Sequence, residues 1–523
     1  MLAPVVGIAL AGLGSGVRAA PEAPTARALL ARVAAEMGVP ALEQTGFMQW
    51  SFAGTYDESV ERGGFEPEPP APVKDTFALD LRGQGAGWDS EGLRGDGTVR
   101  WRRFVYPSPD LLLRVEIPTR FAALTRSPAY AQEQLRAARA IPHALLREAA
   151  GRPAALRLLA PVQRDGESRR RLEYTTEAGD AIEVLVDARD RVRSVELVRS
   201  VPFVGERRVA WRYDDWTRDR GVLVPRRLTI AMGGEPLRVL ALHTVSWDRA
   251  ASIVAMPEGI ALPAERPGPA DLPKAPLAPE ARAIGDGVWL APDVRPGMNA
   301  FFISQADGVT VFEAPAGFLY PQIEMPPPDL ARGRRSSEPG EALVDLVRRT
   351  VPGARIRRLV ISHAHADHAG GARAFAAEGA EIVVPRGAAG PVRQFLAERF
   401  VREPDRWEER RTTARATVRE ILDREAFGSG PARFDVIAVG KNPHAEAMAV
   451  LWLPEPRVLL QGDLYYAEPL DAFPSPSRVP IMRWFTAWLA HEGLEPAAIW
   501  GTHSGLPATR EHFEKLAAAA DAS

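Results

Sequence analysis

Residues 358–371 read Arg358-Leu-Val-Ile-Ser362-His363-Ala-His365-Ala-Asp367-His368-Ala-Gly370-Gly371. An apolar strand pattern ends in four metal-ligating side chains within six positions. The strand predicted over Arg358–Ser362 would deliver them at its carboxyl end, where open α/β sheets place ligand sites. The alanine spacers leave room for the imidazoles to converge. With nine histidines in 523 residues, chance production of H-x-H-x-D-H is on the order of 10⁻⁴, so the pattern needs a chemical reason. A helix over Gly371–Glu378 and a strand over Ala380–Pro385 complete a predicted βαβ unit.

Working outward, three more candidate ligands stand at predicted strand ends. His444 precedes the strand Met448–Leu453, Asp463 follows the strand Val458–Gln461, and His503 follows the strand Ala498–Trp500. Cysteine is absent, which removes disulfides, thiolate ligands and a cysteine nucleophile together. Five imidazoles and two carboxylates form a donor set that suits Zn²⁺, with Fe or Mn as alternatives.

The rest of the chain divides around a Pro-rich, aperiodic stretch at 262–280, read as a linker. Residues 281–523 form the unit with the histidine motif, and residues 21–261 precede the linker. In that first unit Ala26–Gly38 places Leu29, Val33 and Met37 on one helical face, with Gly38 as the stop. From Phe77 to Trp247 alternating segments predict antiparallel strands with one buried face. Ile182, Val184 and Val186 alternate in this way, as do Val209, Trp211 and Tyr213, and Val239, Ala241, His243 and Val245. A helical insertion is expected over Thr125–Ala150, and Arg393–Arg424 is read as a long, charged, helical cap.

Composition excludes several classes of function. Lys and Arg number 65 against 67 Asp and Glu, a net charge of −2, so a nucleic-acid partner is disfavoured. Residues Leu2–Gly16 are small and apolar, and Val17-Arg18-Ala19-Ala20 is similar to a small-residue cleavage site, which predicts a signal peptide over 1–20 and a periplasmic or secreted protein. No other apolar run approaches the roughly 20 residues of a spanning helix.

On these seven positions the C-terminal half resembles the metallo-β-lactamase superfamily, whose H-x-H-x-D-H loop is followed by a separate His, a bridging Asp and a last His. The resemblance spans roughly Ala283 to His503. It implies an α/β (α+β) fold, an αββα sandwich preceded here by the mainly antiparallel β-sheet unit. It also implies a binuclear site in which His363, His365 and His444 hold one metal and Asp367, His368 and His503 the second, with Asp463 bridging. Two Zn²⁺ per chain and a shared hydroxide would then cleave an ester, lactone, thioester or related bond of a small-molecule substrate. Asp367 would be the catalytic residue that accepts and returns a proton. Neutral imidazoles are needed for ligation, so activity should fall at acidic pH.

Departures from the family pattern matter. Where an Asp-x-Gly element is usual, Gly308–Pro315 carries Glu313 and Pro315. Insertions run between Tyr320 and Gly340 and from Glu468 to Val479. The bridging Asp463 is more like the glyoxalase II, lactonase and phosphodiesterase branches than true β-lactamases. Flavodiiron proteins place Glu where His365 stands, which disfavours that redox chemistry, while a mononuclear-iron sulfur dioxygenase is an alternative. Tyr465 and Tyr466 are candidate oxyanion donors or packing residues, and Lys441 and Asn442 candidate substrate contacts or solvated side chains. His143, His243, His491 and His512 are read as structural. With an early helix, an antiparallel sheet and Trp211-Arg-Tyr-Asp-Asp-Trp216 and Gly221-Val-Leu-Val-Pro225 in its later strands, the N-terminal unit resembles LolA-like lipoprotein carriers. That likeness implies a lipid-like ligand on its sheet, and the competing reading of the whole chain as a periplasmic carrier with a structural metal domain; the other expectation is that the sheet packs on the catalytic unit.

Overall fold

A computed structural model describes residues 25–519, except 62–68, 83–84, 94–96, 107–111, 118–120, 126–140, 177–179, 202, 251, 254–279, 296, 317–336, 403 and 476–477. The expected signal peptide, nearly all of the Pro-rich linker, and most of the Tyr320–Gly340 insertion lie outside the described residues.

The N-terminal unit is a thirteen-stranded antiparallel sheet made of two chain-ordered runs. The first holds six strands, from Phe47–Tyr56 to Phe121–Thr125, and the second seven, from Leu156–Arg164 to Glu235–Ser246. The runs join where Phe47–Tyr56 pairs with Glu235–Ser246. Period-two alternation turns Met48, Trp50 and Phe52 to one buried face, as the strand repeat requires. The helices Ala26–Met37, Val39–Thr45 and Pro142–Ala150 share that apolar core through Leu29, Leu30, Val33, Leu42 and Leu145. Helix Ala26–Met37 starts where the Thr25 hydroxyl accepts the Ala28 amide, and it ends at Gly38 with φ 83°, the left-handed conformation glycine adopts without cost.

One expected strand face is inverted. Val239, Ala241 and His243 point outward, and Arg238 and Leu240 are buried. Arg238 is neutralised inside by Asp75 at 2.7 Å. Farther along, the pairing steps from Ser51–Thr244 to Phe52–Leu242, so His243 is a bulged extra residue that breaks the alternation.

The C-terminal unit stacks two sheets between helices. A seven-stranded sheet runs in chain order from Arg282–Gly285 to Thr417–Ile421, with its last three pairings parallel. A five-stranded sheet runs from Arg424–Phe427 to Ala498–Gly501. Phe301, Phe312, Val360, Leu451 and Leu460 fill the space between the sheets. Helices Glu338–Thr350 and Ala372–Ala377 cover the outside of the first sheet, and Val479–His491 and Arg510–Ala518 that of the second. This is an αββα sandwich, and the βαβ unit lies where the spacing predicts it. The long helix expected over Arg393–Arg424 is not formed. Its place is taken by the end of the helix Ala389–Ala397, the five-residue helix Arg406–Arg410 and the strand Thr417–Ile421. Two of its carboxylates, Asp405 and Glu408, are met by Arg373 of the helix Ala372–Ala377 at 2.5 and 3.3 Å, which lets a charged segment fold back on the sheet. Among the described residues no helix is long and apolar enough to cross a membrane.

The two units meet at the hairpin turn after Val201. Phe203 is buried in the C-terminal core, 4.9 Å between ring centroids from Phe395. Arg207 grips Glu398 through two hydrogen bonds of 2.6 and 2.9 Å. Gly205 is required here, because a Cβ would stand 2.8 Å from that of Glu398. Phe203→Ala removes the buried ring without changing the backbone demand of φ 62°, and is expected to cost about 3–5 kcal/mol. A lowered denaturation midpoint with metal-free protein checks this.

Candidate metal centre

Strand ends converge on one edge of the sandwich. Glu313 follows the strand Gly308–Phe312, His363 follows Ile356–Val360, Asp463 follows Val458–Gln461 and His503 follows Ala498–Gly501. His444 precedes Ala449–Leu453, and the Ala449 amide donates to Ser362 O at 2.8 Å, tying the two sheets together beside the site. The loop geometry has local causes. Buried Gln461 accepts the Leu464 and Tyr465 amides at 2.8 and 3.1 Å, which shapes the turn carrying Asp463. The Asn299 side chain donates to Ser504 O at 2.7 Å, and its amide to Thr502 O at 2.8 Å, bracketing His503. Asn442 Oδ1 accepts the His444 and Ala445 amides at 2.8 and 3.0 Å. At Gly462 a Cβ would lie 2.6 Å from Ser362 Oγ, so only glycine allows the two ligand loops to approach so closely.

All seven sequence-predicted positions come together, in two groups: His363, His365 and His444, and Asp367, His368, Asp463 and His503. In the first group the facing nitrogens lie 2.9, 3.2 and 3.2 Å apart. Imidazoles about 2.0–2.1 Å from one tetrahedral metal ion would stand about 3.3 Å apart, so the triangle has the size a metal requires. In the second group Asp463 Oδ1 faces His368 Nε2 at 3.3 Å and His503 Nε2 at 3.0 Å. Asp463 Oδ2 faces His444 Nε2 at 3.1 Å. One carboxylate thus addresses both groups. His368 Nε2 and Asp463 Oδ1 are buried without a well-formed hydrogen bond, a costly arrangement unless a common partner satisfies both. The donor set therefore fits metal ions.

The electrostatics divide the groups. Burial, reinforced by His368 and His365, holds His363 well below the usual imidazole range. Burial also opposes charge on His368, but Asp463, Asp367 and Glu313 outweigh it and raise its pKa well above that range. Burial works against charge on Asp463 too, and His368 and His503 overcome it, so its pKa lies well below the carboxylate range.

Glu313 is a residue that sequence reasoning registered only as a departure. Fully buried, it places Oε2 3.1 Å from His368 Nδ1 and accepts the Ser362 amide on Oε1 at 3.2 Å. It fixes which imidazole nitrogen faces Asp463, the usual service of a carboxylate behind a ligating histidine. An isolated acid closing the apolar run Val309–Phe312 was the available signal, since a buried charge must be paired. Glu313→Gln keeps the shape and loses the charge, and is expected to weaken metal binding about 10–100-fold, measured by competition with a chromogenic chelator.

The remaining candidates separate. Tyr465 packs between Phe473 and Phe513 in the helical core. Tyr466 lies at the site, its ring near-parallel to His503 with centroids 6.2 Å apart. Burial first, then Asp463, raises the Tyr466 phenol pKa. Lys441 is exposed and paired with Glu446. His143 lies 3.0 Å from Met37 O, and its burial lowers its pKa to about 4 against the opposing pull of that backbone contact. His512 caps its helix through Thr509, and His243 and His491 are exposed. None of these four joins the seven.

Residues 329–503 match the family model described as the Metallo-beta-lactamase superfamily. This region is of the metallo-beta-lactamase superfamily. Solved structures similar to the chain include a metallo-beta-lactamase from Hirschia baltica, at 15% identity and a TM-score of 0.30, covering 46% of this chain and 96% of that one. A metallo-beta-lactamase from Pontibacter korlensis is similar at 16% identity and a TM-score of 0.30, covering 46% and 97%. The stereoselective inverting sec-alkylsulfatase Pisa1 from Pseudomonas sp. is similar at 15% identity and a TM-score of 0.30, covering 46% of this chain and 40% of its own. No curated protein matches. In the metallo-beta-lactamase region the matched segment contains all seven His and Asp positions, and Glu313 lies outside it.

Proposed function

We propose that this chain is a metal-dependent hydrolase of small molecules that cleaves an ester, lactone, thioester or related bond with two zinc ions. The observation that carries the reading is the division of seven side chains into two groups that share Asp463. A thiolate-free set of imidazoles and carboxylates suits zinc. When bound, a pair of divalent cations lowers the pKa of water and stabilises the oxygens of a hydrolytic displacement.

The chain's own residues supply the rest. Glu313 and Ser362 orient His368 and His363, the latter through Ser362 Oγ at 2.8 Å from His363 Nδ1. Asp367 is the more open carboxylate, its side chain 24% exposed against 7% for Asp463. It stands 3.7 Å from both His368 Nε2 and His503 Nε2. It is therefore the group placed to take up and return a proton at the substrate. The apolar face of the N-terminal sheet is packed with the chain's own helices, which favours a supporting role for that unit over a lipid-carrying one. The reading includes export, supported by the apolar stretch Leu2–Gly16.

Equilibrium dialysis against zinc tests the site itself. Two equivalents are expected for the full chain and one for His365→Ala, because His365 belongs to the three-histidine group alone. An unaltered stoichiometry in the variant, or no uptake by the parent chain, overturns the assignment.

A further inference from the structure

Away from the metal centre, the helices Ala389–Ala397 and Arg406–Arg410 and the residues leading into the strand Thr417–Ile421 border a groove of about 480 Å³. Its floor is apolar. Leu396 and Trp407 are buried, and Ala414, Ala416 and Val418 are half-buried parts of the packing over the first sheet. The Trp407 indole N–H donates to Leu396 O at 2.9 Å, which fixes the largest ring of that floor. The charged residues lining the groove are Arg393, Arg411 and Arg415, and no carboxylate joins them.

The charges around it do not cancel. Arg411 meets Glu408 at 3.2 Å, but that carboxylate also serves Arg373 and Arg399. Arg393 donates to Val418 O at 3.1 Å and forms no ion pair among the described residues. The Arg415 side chain is exposed and has neither an ion pair nor a hydrogen bond among them. Like charges gathered on one rim raise the local potential, and an anion that docks there relieves it while accepting charge-assisted hydrogen bonds. The volume falls within the range of small-molecule sites, roughly 300–1,000 Å³.

From this combination we propose that the groove binds a small carboxylate with an apolar body, its acid between Arg393 and Arg415 and its hydrocarbon over Leu396, Trp407 and Val418. It is a second site, since none of the seven His and Asp residues lines it, and it goes beyond the hydrolase reading without resting on it. The groove adjoins the joint between the two units. Arg411 donates to the carbonyls of Ala397 and Glu398, and the Glu398 carboxylate grips Arg207 of the N-terminal unit. A bound acid therefore sits against the turn that carries this joint.

The test uses the full chain, zinc-loaded and chelator-stripped, with octanoate and the uncharged octanamide as probes of equal length and titration calorimetry as the readout. Octanoate is expected to bind about tenfold more tightly than octanamide, the value of a hydrogen bond to a charged group, and equally well with and without zinc. The double variant Arg393→Ala/Arg415→Ala, changed only at exposed positions, is expected to erase the preference for the acid and to keep the parent's affinity for octanamide and its zinc uptake. Equal affinity for the two probes, or a preference that survives in the double variant, overturns the proposal and leaves the metal reading intact. Octanoate binding that disappears with the zinc also overturns it, by placing the acid at the metal centre. Uptake of neither probe overturns it as well and leaves the groove to a macromolecular partner.

Discussion

Asp463→Asn is expected to lower kcat/KM by at least about 1,000-fold, since several kcal/mol of charge stabilisation rest on this side chain. The side chain has one oxygen 3.0 Å from His503 Nε2 and 3.3 Å from His368 Nε2, and the other 3.1 Å from His444 Nε2. An amide keeps the volume but loses the charge, and one of its two ends becomes a donor aimed at an imidazole nitrogen. Whichever way the amide turns, one group is deprived of its carboxylate. His368 meanwhile loses the first of the carboxylates that sustain its raised pKa. The variant should fold, because the Gln461 and Asn299 side chains, bonded to the loop backbone, hold the loops without Asp463. Far-ultraviolet circular dichroism together with steady-state rates separates the two effects. A folded variant with more than a tenth of the parent activity would contradict the shared role of Asp463.

The second large effect is on metal loading as a function of pH. His368 carries its proton well above the ordinary imidazole range, and a ligand nitrogen must be unprotonated. Metal uptake by the Asp367, His368, Asp463 and His503 group therefore displaces a proton at neutral pH. Its affinity should fall about tenfold for each unit of acidification. In the other group His363 is already unprotonated, because burial depresses its pKa, so no such proton has to leave that residue. Titration near pH 6, just below the ordinary imidazole value of about 6.5, should show one strong equivalent and one weak, with the two affinities converging as pH rises. Calorimetry in buffers of different ionisation enthalpy counts the protons released. Equal affinities with the same pH slope would show that the asymmetry is not present.

Much of the site was legible because its chemistry is local. His363, His365, Asp367 and His368 lie within six residues, and the strand before them is formed, ending at Val360 rather than at the expected Ser362. His444, Asp463 and His503 were legible by position, each beside an apolar run that became a buried strand. Glu313 was not, since the sequence shows an acid after an apolar run but not which nitrogen it meets across 55 residues of chain. In the N-terminal unit the alternating pattern predicted antiparallel strands correctly. It failed at Val239–Val245, where an extra residue at His243 breaks the register and Asp75 lets Arg238 turn inward. The charged stretch Arg393–Arg424 was misread for a related reason. Its charges look like a solvated helix face until Asp405 and Glu408 pair with Arg373 of another helix inside the fold, a fact of tertiary structure that helical periodicity does not carry.

The central claim is that these seven side chains form a hydrolytic metal site. Its most direct test is the initial hydrolysis rate of the full chain, zinc-loaded and chelator-stripped, across lactone, thioester, β-lactam, phosphodiester and aryl-sulfate substrates. The account predicts turnover of one bond class, lost on stripping and restored by zinc. Turnover that survives stripping, or a zinc-loaded chain that cleaves none of these bonds, would contradict it.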